Sequence, residues 1–122
     1  MARCDEGYLC EVCGEEVHHI GESDLYLRFV IGEVDGRALL ATPERHLRCN
    51  PSEAQFIVDQ AFTPAVFIEG AFDKRTLDAE FVREREELVT RGWRRLQELR
   101  GLSIPINEYP LEEFRRTSAR DI

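Results

Sequence analysis

The chain of 122 residues contains one lysine, one methionine, one tryptophan and three histidines. No apolar run approaches the ~18 residues that a membrane-spanning helix needs. The opening Met1-Ala-Arg-Cys-Asp-Glu has no apolar h-region, so no secretory leader is expected and a cytoplasmic location is. Internal repeats and low-complexity tracts are absent. So are a nucleophile motif, a phosphate-cradling glycine loop and a convincing carboxylate dyad, so no enzymatic activity is expected. Basic excess is missing too: the net charge is −8. That charge is unevenly placed. Residues 1–70 hold five arginines against thirteen Asp and Glu, whereas residues 71–122 hold eleven side chains of each sign. An acidic N-terminal half is a poor binder of phosphates.

What is there is a set of paired thiols. Without an export signal, the four cysteines are expected in a reducing compartment, where CxxC marks a metal or redox site rather than a structural disulfide. Cys10-Glu-Val-Cys13-Gly14 and His46-Leu-Arg-Cys49 supply three thiols and one imidazole in two pairs, each with two residues between its members. One tight turn can aim both side chains of such a pair at one point, and Cys₃His is a standard set for tetrahedral Zn²⁺. Gly14 lets the knuckle turn adopt positive φ. Four ligands close the shell, so one structural zinc ion per chain is expected, contributing folding free energy and no chemistry. Iron also fits a thiolate-rich tetrahedral cage. Cys4 is left over, either a replacement ligand, half of a regulatory disulfide or, as the favoured reading, an ordinary N-terminal thiol; His18-His19 offers alternative ligands but reads as an exposed loop. Glu11, Glu15 and Glu16 beside the knuckle argue against a low-pKa redox thiolate.

The surrounding pattern predicts an α+β fold. Residues 1–9 read as a polar lead-in and residues 14–24 as a loop. Leu25, Leu27, Phe29 and Ile31 alternate with Tyr26, Arg28 and Val30, which reads as a strand. Asp35-Gly36 is a hairpin-turn signal, with Arg37–Ala41 as the return strand. Asn50, Pro51 and Glu53 read as N-cap, N1 and N3 of a helix running through Ala61 and ending near Thr63-Pro64. Ala65–Ile68 reads as a third strand. The longest helix spans about residues 77–100, capped by Thr76 and closed by Gly101. Its apolar side gathers Leu77, Phe81, Val82, Leu88, Val89, Trp93, Leu96 and Leu99. Arg85 interrupts that stripe and is expected either to snorkel to solvent or to pair with an acidic group of the zinc lobe. Gly92 also interrupts it and marks a close backbone crossing. The stripe is either core, packed on Leu25, Leu27, Phe29 and Ile31, or a partner-docking face anchored by Trp93. The division expected is a zinc lobe at 1–70, an amphipathic helix at 71–101 and an extended tail at 102–122.

The order of knuckle, hairpin and helix resembles a treble-clef zinc finger, and the ligand string over residues 10–49 resembles the PARP-type CxxC…HxxC pattern. The resemblance implies that Cys10, Cys13, His46 and Cys49 are the ligands. Treble clefs also include HNH-type nucleases, but no further histidine follows on the next helix. The expected function is a protein–protein interaction module or accessory subunit, binding another protein or itself, with no membrane. One alternative is nucleic-acid binding through Arg83, Arg91, Arg94, Arg95 and Arg100 on the long helix. Another is a thiol-based redox or zinc sensor.

Overall fold

The computed structural model describes residues 8–62 and 73–115. It begins with two antiparallel strands, β1 (Tyr8–Leu9) and β2 (Glu16–Val17), with Tyr8 opposite Val17 and Leu9 opposite Glu16. Helices α1 (Asp24–Val30), α2 (Gly36–Ala41), α3 (Pro51–Ala54) and α4 (Ala79–Leu99) follow. Helix and hairpin together make a mixed fold consistent with α+β. The hairpin lies in segments that read as lead-in and loop, because two-residue strands carry too little alternation to register. No helix among the described residues is long and apolar enough to cross a membrane.

The expected strand at Leu25–Ile31 is a helix. Six of the seven residues of that run are buried, with Arg28 the exception. A helix buried all round has no polar face, so its periodicity cannot be told from that of a buried strand. Two local signals favour the helix. Ser23 caps it, its Oγ accepting from the Tyr26 N–H at 3.0 Å. Asp24 faces Arg28, four residues on, at 3.2 Å. The return strand at Arg37–Ala41 is likewise a helix, α2. Asp35 acts as its N-cap, accepting from the Ala38 N–H at 2.8 Å, and no hairpin turn forms. Asp suits both roles, and here the cap wins.

The helix expected from Pro51 to Ala61 stops at Ala54. Its continuation is intercepted by Thr90 of α4, whose buried hydroxyl accepts from the Val58 N–H at 2.9 Å and donates to the Phe56 carbonyl at 3.2 Å. That exchange lets Phe56 and Ile57 enter the core. Asn50 does not cap through its side chain. Its Nδ2 donates to Asp24 Oδ1 at 2.9 Å instead. The run Ala65–Ile68 and the stop at Thr63-Pro64 lie outside the described residues.

The long helix is α4, and Asp78 rather than Thr76 caps it, accepting from the Phe81 N–H at 3.0 Å. Gly101 follows its end with φ +81°, the left-handed region where glycine is favoured. Val89, Trp93, Leu96 and Leu99 are buried against α1, with Ile20, Leu27, Val30 and Ile31 in the same core. Trp93 belongs to that core, in edge contact with Phe62 at 5.7 Å, and is no exposed docking anchor. At Gly92 the helices touch: a Cβ there would fall onto Ile31 Cγ2 and lie 2.9 Å from Leu27 Cδ1. Arg85 reaches across to Glu33 and Glu53, its Nη2 lying 2.7 Å from Glu53 Oε2. Through Arg115 the tail lies along the body. The Leu111 N–H donates to the Val30 carbonyl at 2.9 Å, and Arg95 donates to the Glu108 and Tyr109 carbonyls at 2.8 and 3.0 Å.

Candidate metal centre

Two tight turns bring the four donors together. In the first, the Gly14 N–H donates to the Cys10 carbonyl at 2.9 Å, with Gly14 at φ +77°. The Cys10 N–H donates to Glu15 O at 2.8 Å and closes the knuckle between β1 and β2. In the second, a 3₁₀ turn at Leu47–Cys49 carries the Cys49 N–H onto the His46 carbonyl at 3.0 Å. The two turns are tied by Glu11 N–H to Glu44 O at 2.9 Å, and by His46 N–H to Cys10 Sγ at 3.4 Å.

The donor atoms of Cys10, Cys13, His46 and Cys49 all lie within 4.8 Å of one another. His46 Nδ1 is 3.4 Å from Cys13 Sγ and 3.9 Å from Cys49 Sγ. Metal–sulfur and metal–nitrogen bonds of ~2.3 and ~2.0 Å at tetrahedral angles separate such donors by ~3.6 Å, so the cluster has the size of a metal cage. The other ring nitrogen of His46 is occupied. Nε2 lies 2.9 Å from the Glu16 carbonyl oxygen. A carbonyl can only accept, so Nε2 carries the proton and the Nδ1 lone pair faces the thiols. This is the tautomer that a ligating imidazole needs, oriented by an outer hydrogen bond.

The thiols differ. Burial pushes the Cys10 thiol up, but N–H donors of Cys13, His46 and Val12 outweigh it and lower the group to about 6. The neighbouring carboxylates of Glu11, Glu15 and Glu16 do not decide this; the turn's own amide groups do. Burial pushes the Cys49 thiol up to about 12, helped by the adjacent Cys10 and Cys13. Three crowded thiols resist ionising together unless a cation joins them, which a divalent metal does. Cys10 and His46 are buried, Cys49 is half-buried and Cys13 is exposed. The chain can therefore hold one metal ion in a four-ligand shell.

Behind the cage lies a polar network that the sequence pattern did not reveal. Ser23 Oγ donates to Glu44 Oε1 at 2.7 Å, and the Arg45 N–H donates to the same oxygen at 2.9 Å. Asp24, fully buried, has Oδ2 at 3.2 Å from Arg28 and 3.3 Å from Arg45. The Asp24 N–H donates to the Arg45 carbonyl at 2.8 Å. These bonds fix the segment bearing His46 and Cys49 against the start of α1. The neighbouring Ser-Asp dipeptide, a helix-start signal, was the available clue.

His18 and His19 stand apart from the four donors. His18 faces Glu16 at 3.6 Å and His19 faces Glu22 at 3.8 Å. Cys4 lies outside the described residues. Of the arginines on α4, Arg91 pairs with Glu113, Arg94 with Asp59 and Arg95 with Glu98. No family model, no curated protein and no solved structure matches this chain.

Proposed function

We propose that this chain is a structural zinc protein that works as a protein–protein interaction module or accessory subunit. One observation carries the metal part: four donors of the Cys₃His type converge at cage spacing, with His46 buried and its second nitrogen already bonded to Glu16. Four protein ligands leave no open position for a substrate or an activated water, so the ion contributes stability rather than catalysis. Zinc is favoured over iron by the mixed imidazole and thiolate set.

The treble-clef reading is supported at its two ends, by a zinc knuckle and by a second ligand pair that leads into a helix. Between them α1 and α2 stand where a treble clef has a hairpin, so the lobe is read as a helical variation on that plan. The interaction role is supported by the acidic balance of the metal-bearing half. It is supported too by three of the five α4 arginines of the nucleic-acid alternative, Arg91, Arg94 and Arg95, which face Glu113, Asp59 and Glu98 within the chain.

Elemental analysis of protein purified without added metal, beside Cys49→Ser, tests the metal reading. One zinc per chain, lost in the variant together with cooperative unfolding, is the expected result. Iron, or a well-folded protein without metal, overturns it. Gel shifts on duplex DNA, single-stranded DNA and RNA test the partner class. Tight binding that collapses with added salt overturns the interaction-module reading.

A further inference from the structure

Resting on the interaction-module reading, we infer that the groove between β1 and α2 binds a cationic segment of another protein that also carries apolar side chains. A cavity of about 270 Å³ opens there. Buried Leu25, Tyr26 and Leu39 form its floor, and Tyr8, Leu9 and Leu40 form its walls. Leu40 is 83% exposed and Leu9 is 66% exposed. Adjacent positions on α2 point in different directions, so Leu39 enters the core and Leu40 does not. Val12, on the knuckle beside β1, is exposed as well. Single exposed apolar residues are ordinary, but several gathered around one groove mark a contact surface.

Charge selects the occupant. Residues 8–49 carry eight carboxylates and four arginines, and a cage of three thiolates around one divalent ion adds a further negative charge. Glu44 also lines the groove, but its carboxylate is buried and bonded to Ser23 and to the Arg45 N–H; the accessible negative charge is that of Glu11, Glu15 and Glu16, exposed on the adjoining knuckle. Arg45 and Arg48 approach Glu11 and Glu15 only at 3.9 and 3.6 Å, a spacing at which exposed pairs gain little. A second copy of the chain meeting the groove through the same face would bring the same negative surplus. Nucleic acid and anionic lipid would be repelled. A lysine- or arginine-bearing protein segment is attracted, and its apolar side chains have Tyr8, Leu9 and Leu40 to cover.

The test is an amide NMR titration of the metal-loaded full chain with two synthetic peptides. Both carry leucine and valine at the same alternate positions; one has lysine between them, the other glutamate. The expected result is saturable shifts centred on Tyr8, Leu9 and Leu40 with the lysine peptide alone. Leu40→Asp should then weaken the affinity about tenfold. The variant adds a carboxylate, which would strengthen a purely electrostatic contact, so weakening identifies apolar contact in the groove. Shifts scattered over all exposed carboxylates, or an unchanged Leu40→Asp, overturn the proposal. So does a groove already in contact with residues 1–7 or with a second copy before any peptide is added. Shifts centred instead on Phe81, Leu102 or Ile106 overturn the groove and leave the interaction-module reading standing. Zinc content of the same sample reports separately on the metal centre.

Discussion

His46 Nε2 lies 2.9 Å from the Glu16 carbonyl oxygen, and this single bond turns Nδ1 toward Cys13 Sγ at 3.4 Å. The second strand of the knuckle hairpin thus orients a ligand thirty positions away along the chain. The four-donor cluster and the hairpin are tied to one another.

Metal binding should release protons, by an amount that the thiols set. At neutral pH the Cys10 thiol, held at about 6, is largely ionised already. Cys49, pushed up to about 12, still holds its proton and must give it up to ligate. Affinity therefore rises with pH, because protons compete with the metal for Cys49 throughout this range. Apparent log K for a divalent metal ion should climb by at least about one unit per pH unit between pH 6 and 8. Calorimetry in buffers of different ionisation enthalpy measures the released protons. A pH-independent constant would show that no protonated thiol, Cys49 included, becomes a ligand.

Arg85→Ala should destabilise the fold by about 2 kcal/mol at pH 7, because it strands the largely buried Glu53 carboxylate. Burial already raises the Glu53 carboxyl above its usual range, with Arg85 opposing that rise. Removing the guanidinium lets it rise further. The stranded charge then disappears as pH falls through that raised value, so the deficit should shrink in acid. Urea titrations of both proteins at pH 7 and pH 4.5 measure the two deficits. Glu53→Gln in the Arg85→Ala background should recover part of the loss at pH 7.

Gly92→Ala places a methyl group against Ile31 and Leu27. Alanine would gain up to about 1 kcal/mol in an open helix. Here overpacking between α1 and α4 costs about 1–3 kcal/mol and should win. Thermal unfolding should show a lower Tm; a higher Tm would mean that the two helices separate freely at this crossing.

Ser23→Ala removes the N-cap of α1 and one hydrogen bond to the buried Glu44. A loss of about 1–2 kcal/mol is expected from the cap alone. Because Glu44 and His46 are joined in one segment, the metal-loaded variant should also lose its ion to a chelator faster than the parent. Chromophoric-chelator kinetics read this directly, and Ser23→Thr, which can keep the cap, should restore the parent rate.

Much of the centre was legible in the residues. CxxC and HxxC spacing names four donors, and the structure gathers those four. The span and end of α4, the pairing of Arg85 and the crossing at Gly92 also followed from local pattern. Each is a local matter: helix periodicity, a glycine after a helix, a charge in an apolar stripe.

The sequence by itself determined the donor set, the long amphipathic helix and the separation of charge between the two halves, because these depend on residue type and near-neighbour spacing. Tertiary structure decided the rest. Leu25–Ile31 became helix α1 because the core surrounds it on all sides, which erases the polar stripe that would have announced it. The helix from Pro51 ended after one turn because Thr90, distant in sequence, claimed its backbone groups at Phe56 and Val58. The tautomer of His46 rests on a carbonyl of β2 that no pattern of side chains can specify, since every residue carries one.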